Sequence, residues 1–484
     1  MITSILSAVI IFGVLIIVHE TGHFLMAKRS GVRVIRYSVG YPPKLFGIRR
    51  GETEYAFGAT PMGGYVRMLG DEVAEEPTAD TLEGYVKEVQ LDLLEAARQH
   101  STAASLGTEP QEMLLALAHR LAPAVGGGFN PTRGSTSTSA SGAAHALAPD
   151  PASYPHPADS AEAILGRALR PDEALLLAEV ERRGSVDEAV KALVETRPAV
   201  LLDRYRAQAF PTQSLATRIK IVLAGPLANI LFAPVLMTIV FMYGVPYVKP
   251  ILGEIKKGMP AYSAGLRKGD QILAVNGHKI ENWADLSDAI KADSGAPIKI
   301  DFTRPAPNAS PSQMSLQVTP IREKEDTGFG NKAPVWIIGV LPRGDEGVKR
   351  YGPLSAMYQS VVSTAELSGR LVMGIALIIN GTTPARQALG GPIMIAKMAG
   401  KEAKQGFADV AGFTVMLSLE LGIINLLPVP LLDGGHLFFF LIEGLRGKPL
   451  QLRHREFAMQ IGLLLLVALM TFVIVNDISH IMHS

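Results

Sequence analysis

The sequence predicts a multi-pass α-helical membrane protein with about four transmembrane helices, a membrane-associated β-hairpin and a small α+β module. Apolar runs recur along the chain, each near the length of about 20 residues that a helix needs to cross a bilayer. Strand and turn signals follow the first run and the second run. The 484 residues include no cysteine, which excludes disulfides, thiolate metal sites and a cysteine nucleophile.

Four segments are predicted to cross the membrane. Residues 2–18, 221–248 and 457–475 carry no charged side chain, and the first helix can continue to Lys28. The fourth segment, residues 407–432, contains Asp409 and Glu420 and is interrupted by Pro428 and Pro430. Residues 2–18 lack the basic start of a signal peptide, so we interpret them as a retained span.

Basic residues flank these segments in a pattern that predicts their orientation. They follow the first span, precede the second, and lie between the last two. By the positive-inside rule all three groups are cytoplasmic, which places both termini and the α+β module outside the cytoplasm. The net charge of +1 gives no reason to expect a nucleic-acid partner.

The chain therefore divides into seven predicted segments. They are 1–76, the first transmembrane helix and the β-hairpin around residues 61–64; 77–209, a cytoplasmic helical insertion with a flexible linker at 122–160; 210–248, the second transmembrane helix; 249–323, the α+β module; 324–406, a linker with an interfacial amphipathic segment; 407–440, the third transmembrane helix; and 441–484, a cytoplasmic loop and the fourth transmembrane helix.

The motif His19-Glu20-x-x-His23 carries the strongest chemical signal. Residues four apart lie on one face of a helix, so both imidazoles can bind one Zn²⁺. Glu20 lies beside that ion and can take a proton from bound water. Satisfied polar groups at a helix end are the simpler interpretation, but ionisable residues at membrane depth are costly and are usually functional. The motif therefore predicts a zinc site.

A catalytic zinc usually has three protein ligands, so a third must come from elsewhere. Asp433 in the stretch NLLPVPLLDGGH is the best candidate, because two prolines interrupt the helix before it and Gly434 and Gly435 allow the backbone to approach closely. His436 is the competing ligand, and the sequence alone leaves that choice open.

These motifs resemble the site-2 proteases, intramembrane zinc metalloproteases of the bacterial type that cleave membrane-bound anti-sigma factors. The resemblance rests on HETGH at 19–23, GPLAN at 225–229 and NLLPVPLLDGG at 425–435, and it covers about 1–75 and 210–480. TPMGGYVRMLG and the PDZ-like AGLRKGDQILAVNG also match. The chain departs in having one recognisable PDZ signature, where the bacterial members known best have two, and in its 77–209 insertion.

The resemblance implies a role for each matching residue. His19, His23 and Asp433 would bind zinc, and Glu20 would act as general base and then as proton donor. The substrate would be a single-span membrane protein in the lipid bilayer, such as a pre-cut anti-sigma factor or a remnant signal peptide. The residues expected to contact its backbone are Asn425, Tyr55, Gly63 and Gly64, with Asn229 as a further candidate.

Two parts of the chain keep alternative interpretations. The PDZ-like module would bind a peptide C-terminus through Leu252, Gly253, Glu254 and Ile255, or would exclude bulky ectodomains by size alone. The small residues of GPLAN are expected chiefly to let helices pack closely. Glu420 is either a packing residue or part of a water path to the metal.

Two other functions compete with proteolysis. A transporter could use intramembrane His and Asp as an ion path, but such folds show repeated halves with matching broken helices, and we find no repeat. An inactive scaffold could gather membrane proteins through the PDZ-like module, but all residues of the zinc motif are present. Proteolysis is therefore the favoured prediction.

Overall fold

The structure is a computed structural model that describes residues 2–71, 79–100, 109–126, 165, 168–292, 295–306, 309–326, 332–382, 384, 390–448 and 450–483. It contains two compact units. The first unit comprises residues 12–227 and 428–460, and the second comprises residues 1–11, 228–427 and 461–484. His19, Glu20, His23 and Asp433 all belong to the first unit.

The described residues form 14 helices and 12 strands. The helices are α1 Ile2–Arg29, α2 Ala79–His100, α3 Pro110–Gly126, α4 Pro171–Arg183, α5 Val186–Thr196, α6 Pro198–Gln208, α7 Leu215–Tyr243, α8 Pro260–Ser263, α9 Trp283–Ala292, α10 Pro353–Ile379, α11 Pro392–Gln405, α12 Phe407–Asn425, α13 Asp433–Arg446 and α14 Leu452–His483. The strands are β1 Val34–Arg50, β2 Thr53–Met68, β3 Val245–Val248, β4 Leu252–Ile255, β5 Gln271–Val275, β6 His278–Lys279, β7 Ile298–Ala306, β8 Ala309–Val318, β9 Ile321–Asp326, β10 Lys332–Ile337, β11 Val340–Pro342 and β12 Glu346–Lys349.

Five of the described helices have the length and composition to cross a membrane: α1, α7, α10, α12 and α14. Helix α10 is a candidate that the prediction of about four transmembrane helices did not include, because residues 324–406 were interpreted as a linker with an interfacial segment. Its 27 residues include polar side chains such as Ser363, Thr364 and Glu366, which divide the apolar residues into runs that are individually too short to span.

Two predicted spans end earlier in the structure than the sequence suggested. Helix α7 ends at Tyr243, and the remaining residues of the predicted span form strand β3. Helix α12 ends at Asn425, and a separate helix, α13, begins at Asp433. The prolines between α12 and α13 explain the break, because proline lacks the N–H that a continuing helix requires.

The β-structure after α1 is broader than the predicted hairpin. Tyr37 of β1 pairs with Tyr55 on one side and with Val66 on the other, and the later part of β1 pairs again with β2, as Ile48 does with Tyr55. The long strands therefore fold back into four antiparallel segments in the order 46–50, 53–57, 34–39 and 64–68. The two segments around residues 61–64 do not pair with each other, as a hairpin would require, because residues 34–39 lie between them.

The helical insertion predicted for residues 77–209 is present as α2 to α6. Its core reaches the end of the β-sheet, since Leu69, directly after β2, is buried in the same cluster as Leu93 and Leu176. Asp92 is buried against the guanidinium groups of Arg33 and Arg49. Burial would raise the pKa of the Asp92 carboxyl, but the surrounding arginines outweigh it and hold that pKa below its usual range. These ion pairs attach the insertion to the sheet.

The predicted flexible linker at 122–160 lies mostly outside the described residues, and its first residues, up to Gly126, are helical in α3. The insertion contains four histidines, His100, His119, His145 and His156. His119 is exposed, whereas His145 and His156 lie outside the described residues.

The α+β module of the second unit contains a four-stranded sheet in the order β6-β5-β7-β8, with α9 packed against it through Leu286 and Ile290. Strand β11 pairs with β4, so the module extends beyond its predicted end at residue 323. A cleft of about 170 Å³ runs beside α9 and is lined by residues 336–342.

Strand β4, Leu252–Ile255, was predicted to bind a peptide C-terminus. It does not line this cleft. Leu252 and Gly253 are buried, and a Cβ atom on Gly253 would lie 2.5 Å from the carbonyl oxygen of Pro342. Strand β11 therefore pairs with β4 along the edge where a bound peptide would otherwise pair.

Candidate metal centre

Helix α1 presents His19 and His23 to one point, one helical turn apart. Their Nε2 atoms are 3.2 Å apart, and each residue is 9% exposed. Neutral imidazole nitrogens at this spacing are suitable ligands for a single ion.

Asp433, the first residue of α13, completes the group. Its Oδ2 lies 3.1 Å from Nε2 of His19, and its Oδ1 lies 3.5 Å from Nε2 of His23. Two ligands of a tetrahedral zinc ion, bound at about 2.0–2.1 Å, stand about 3.3–3.4 Å apart. The Nε2–Nε2 separation of 3.2 Å and the distances of 3.1 and 3.5 Å to the two Asp433 oxygens are close to that value, so the three side chains are near enough to bind one ion.

No other cluster of three His, Asp or Glu side chains with this spacing occurs among the described residues. His436, the competing ligand, is not part of the group. It lies three residues beyond Asp433 on α13, and its ring contacts Phe439, with centroids 6.5 Å apart. The geometry thus favours the Asp433 carboxylate over His436 as the third ligand.

Helix α7 fixes the orientation of the His23 ring. The Nδ1 atom of His23 donates to the carbonyl oxygen of Ile221 at 2.9 Å, which leaves Nε2 free of its proton and available to a metal. A Cβ atom placed on Gly225 would lie 2.2 Å from that Nε2 atom. Close helix packing was predicted for GPLAN, and at Gly225 it is confirmed, with His23 as the partner.

The turn before Asp433 is held in an unusual shape. Leu431 has φ +81°, a left-handed conformation that is strained for a bulky side chain. A Cβ atom on Gly435 would lie 2.4 Å from the carbonyl oxygen of Val429, so only glycine fits there. The predicted close backbone approach is confirmed at Gly435, and it presses the turn against the start of α13.

The edge of the β-sheet lies directly beside Glu20. A Cβ atom on Gly64 would come within 2.9 Å of Cγ of Glu20 and 2.8 Å of the carbonyl oxygen of Ser38. Tyr37, in the neighbouring segment, shares a hydrogen bond of 3.0 Å with Thr21 of α1. The sheet therefore packs on α1 at the motif itself, and Gly64 is the residue of closest approach.

The other predicted site residues lie as follows. Tyr55 is part-exposed in the sheet, with its ring 5.9 Å from that of Phe24, and a Cβ atom on Gly63 would meet the ring of Tyr41. Asn229 is fully buried in α7, where its carbonyl oxygen accepts a 2.8 Å hydrogen bond from Ser418. Asn425 is the last residue of α12. Asn229 and Asn425 belong to the second unit.

Comparison with known proteins decides the family. Residues 7–469 match the family described as Peptidase family M50. The chain belongs to peptidase family M50. Membership makes it a membrane zinc metalloprotease, with Zn²⁺ as its cofactor, and confirms the resemblance to the site-2 proteases.

Curated relatives match this M50 peptidase from end to end. It is 30% identical to the zinc metalloprotease RasP of Geobacillus kaustophilus, with 98% of each chain covered. It is 31% identical to the regulator of sigma-E protease RseP of Salmonella typhimurium, again with 98% of each chain covered. The regulator of sigma-W protease RasP of Bacillus subtilis is 27% identical over 99% of each chain.

Sequence reasoning missed several groups that this M50 peptidase places around its motif. The Ile221 carbonyl has no sequence signal, because any residue supplies the same atom. Gly64 and Gly225 stand in motifs that were noted, but only the structure identifies Glu20 and His23 as their neighbours.

Proposed function

We propose that the protein is an intramembrane endopeptidase that cleaves single-span membrane proteins in the cytoplasmic membrane, with Zn²⁺ held by His19, His23 and Asp433. The observation that carries this proposal is the cluster of one ligand atom from each of these three residues, all within 4.8 Å of one another. Zinc bound there would polarise the scissile carbonyl and lower the pKa of a bound water toward about 7.

Glu20 supplies the proton transfers. It follows a ligand on the same helix but is not one of the three clustered groups, so its carboxylate is available to accept a proton from the attacking water. It then gives that proton to the leaving amine. His23 keeps its Nδ1 proton on the Ile221 carbonyl throughout and takes no part in this transfer.

The segment 64–68 would hold the substrate. A transmembrane helix buries its carbonyl groups in its own hydrogen bonds, so it must unwind before water can attack. Among the described residues this segment pairs only with residues 34–39, which leaves its other edge able to accept an added strand. Because that edge begins at Gly64, a strand added there would pass beside Glu20. Asn425 stays a predicted contact to the same backbone.

Gly64→Ala is expected to lower the catalytic rate about 10-fold or more, since a new methyl group would displace Glu20 or the edge strand, and misplacing a catalytic group by about 1 Å can cost about 100-fold. Zinc content should not change. Gly84→Ala is the matched control, because nothing lies within 4 Å of a Cβ atom there. Equal rates for the two variants would separate the sheet edge from catalysis.

The substrate class follows from the relatives and from the α+β module. Two of the relatives are named regulators of sigma-factor activity, so pre-cut anti-sigma factors are the first class to examine, with remnant signal peptides as the second. We place the module outside the cytoplasm as a PDZ-like domain that admits trimmed substrates, by binding their new C-terminus or by excluding intact ectodomains.

The test is cleavage of a tagged single-span substrate by the purified protein in lipid vesicles, with the ectodomain either intact or trimmed. The wild type should cut the trimmed form, should leave the intact form uncut, and should lose activity when zinc is chelated. Cleavage that persists without metal would overturn the zinc mechanism, and equal cleavage of both forms would remove the filtering role.

A further inference from the structure

An ion pair joins the first turn of α7 to the last part of α13. Nη1 of Arg218 donates to Oε2 of Glu443 at 3.1 Å, and Nη2 donates to Oε1 of the same carboxylate. The side chains are only 10% and 17% exposed. A bidentate guanidinium–carboxylate contact that is largely shielded from solvent fixes both the distance and the orientation of the two side chains.

Packing reinforces the ion pair. The guanidinium carbon of Arg218 lies 4.9 Å from the ring centre of Phe440, which is 1% exposed. One turn further along α13, a Cβ atom on Gly444 would lie 3.2 Å from Leu215. The two helices are therefore in contact on both sides of the pair, so α13 has little freedom to slide along α7.

The same face of α7 holds the histidine side of the site. Ile221 and Gly225 follow Arg218 by three and seven residues, a spacing that puts all three on one side of a helix. Ile221 accepts the Nδ1 proton of His23, and Gly225 packs on the ring of His23. This face of α7, residues 218–225, thus contacts the helix that carries His19 and His23 and the helix that begins with Asp433.

We propose that Arg218 and Glu443 are a positioning pair that sets Asp433 against the two histidines. Asp433 and Glu443 are ten residues apart, or about 15 Å along a helix. The turn before Asp433 is strained at Leu431, so this turn alone does not favour the observed position of Asp433. The contacts of Glu443 near the C-terminal end of α13 hold the helix, and with it Asp433, in place. Arg218 is not one of the three clustered ligands, and it acts through the placement of α13.

This inference rests on the metal centre proposed above, and its test uses metal binding by the full-length protein in detergent. The variants are Arg218→Glu, Glu443→Arg, the double exchange, and Asp433→Asn as the reference. The readouts are zinc affinity by competition with a chelator and the visible spectrum of the Co²⁺-substituted protein, which reports the number and geometry of ligands.

Each single exchange is expected to weaken zinc binding about 10–100-fold, the range found when groups that orient metal ligands are removed. The Co²⁺ spectrum should shift toward that of Asp433→Asn, and the double exchange should recover most of the affinity. Arg304→Glu is the matched control, because it breaks the ion pair with Asp270 in the α+β module, and its zinc affinity should equal that of the wild type.

The outcomes separate the two proposals. Failure of the wild type to bind one Co²⁺ would overturn the metal centre. Normal wild-type binding, with Arg218→Glu unchanged in affinity and spectrum, would overturn only the positioning pair. A double exchange no better than the single ones would do the same. If Arg218→Glu does not fold, Glu443→Gln decides, since it keeps the side-chain shape and removes only the charge.

Discussion

Glu20→Gln is expected to reduce cleavage about 100- to 10,000-fold, the usual contribution of a positioned general base. Glutamine has nearly the shape of glutamate but cannot accept a proton from water. Because Glu20 is outside the group of three ligands, zinc content should stay at the wild-type value. This combination of lost activity and retained metal distinguishes a proton-transfer role from a ligand role.

The measurement uses the trimmed single-span substrate with equal amounts of zinc-loaded protein. Glu366→Gln, at an exposed position of α10, controls for removing a glutamate from a long apolar helix and should cleave at the wild-type rate. Equal product from Glu20→Gln and the wild type would assign the cut to a contaminating protease. A zinc-free Glu20→Gln protein would make Glu20 part of the metal site.

Gly225→Ala is expected to weaken zinc binding by about 100-fold or more and to abolish cleavage at ordinary zinc concentrations. The new Cβ atom would lie 2.2 Å from Nε2 of His23, the atom that faces the metal. The backbone in the middle of a packed helix can shift only slightly, so the His23 ring must rotate away from Gly225. It then loses the hydrogen bond to Ile221 that sets its tautomer.

Zinc affinity by chelator competition checks this prediction, and Gly412→Ala in α12 is its control because nothing lies within 4 Å of a Cβ atom there. Helix propensity alone would make both substitutions slightly stabilising. A Gly225→Ala protein with wild-type affinity would show that α7 does not press on His23.

The candidate site was predictable where its geometry is local. His19 and His23 share a helix, so their spacing alone places both nitrogens at one point. Asp433 is more than 400 residues away, and only the chemical need for a third ligand pointed to it. In the structure its carboxylate oxygens lie 3.1 and 3.5 Å from the Nε2 atoms of the two histidines.

The features that the sequence did not predict depend on contacts between segments that are distant along the chain. Residues 34–39 read as a strand of ordinary composition, and nothing local shows that they separate the two segments of the predicted hairpin. Strand β11 has three residues, too few to carry a pattern, so the sequence did not indicate that it pairs with β4. The Arg218–Glu443 pair joins residues 225 positions apart, where each reads as an ordinary basic or acidic residue at a helix end.

The contact of His23 with α7 and the position of Asp433 after α12 also limit how many times the chain between these two helices can cross the membrane. Helix α7 starts beside His23, and α12 leads into Asp433. The basic residues after α1 predict that this end of the helix is cytoplasmic, so we expect α7 to leave from the cytoplasmic side and α12 to return to it. The chain between them must then cross an even number of times. Helix α11, with 14 residues, reaches about 21 Å, short of a bilayer core of about 30 Å. We therefore expect α10 not to cross, despite its length.

The absence of cysteine makes this limit easy to check, since one introduced thiol is the only thiol. Asn380→Cys, after α10, should react with a membrane-impermeant maleimide in intact cells, as should Lys268→Cys in the α+β module. Arg206→Cys in the insertion should react only after lysis. Protection of Asn380→Cys until lysis would mean that the chain crosses the membrane an odd number of times between α7 and α12. The two termini would then lie in different compartments.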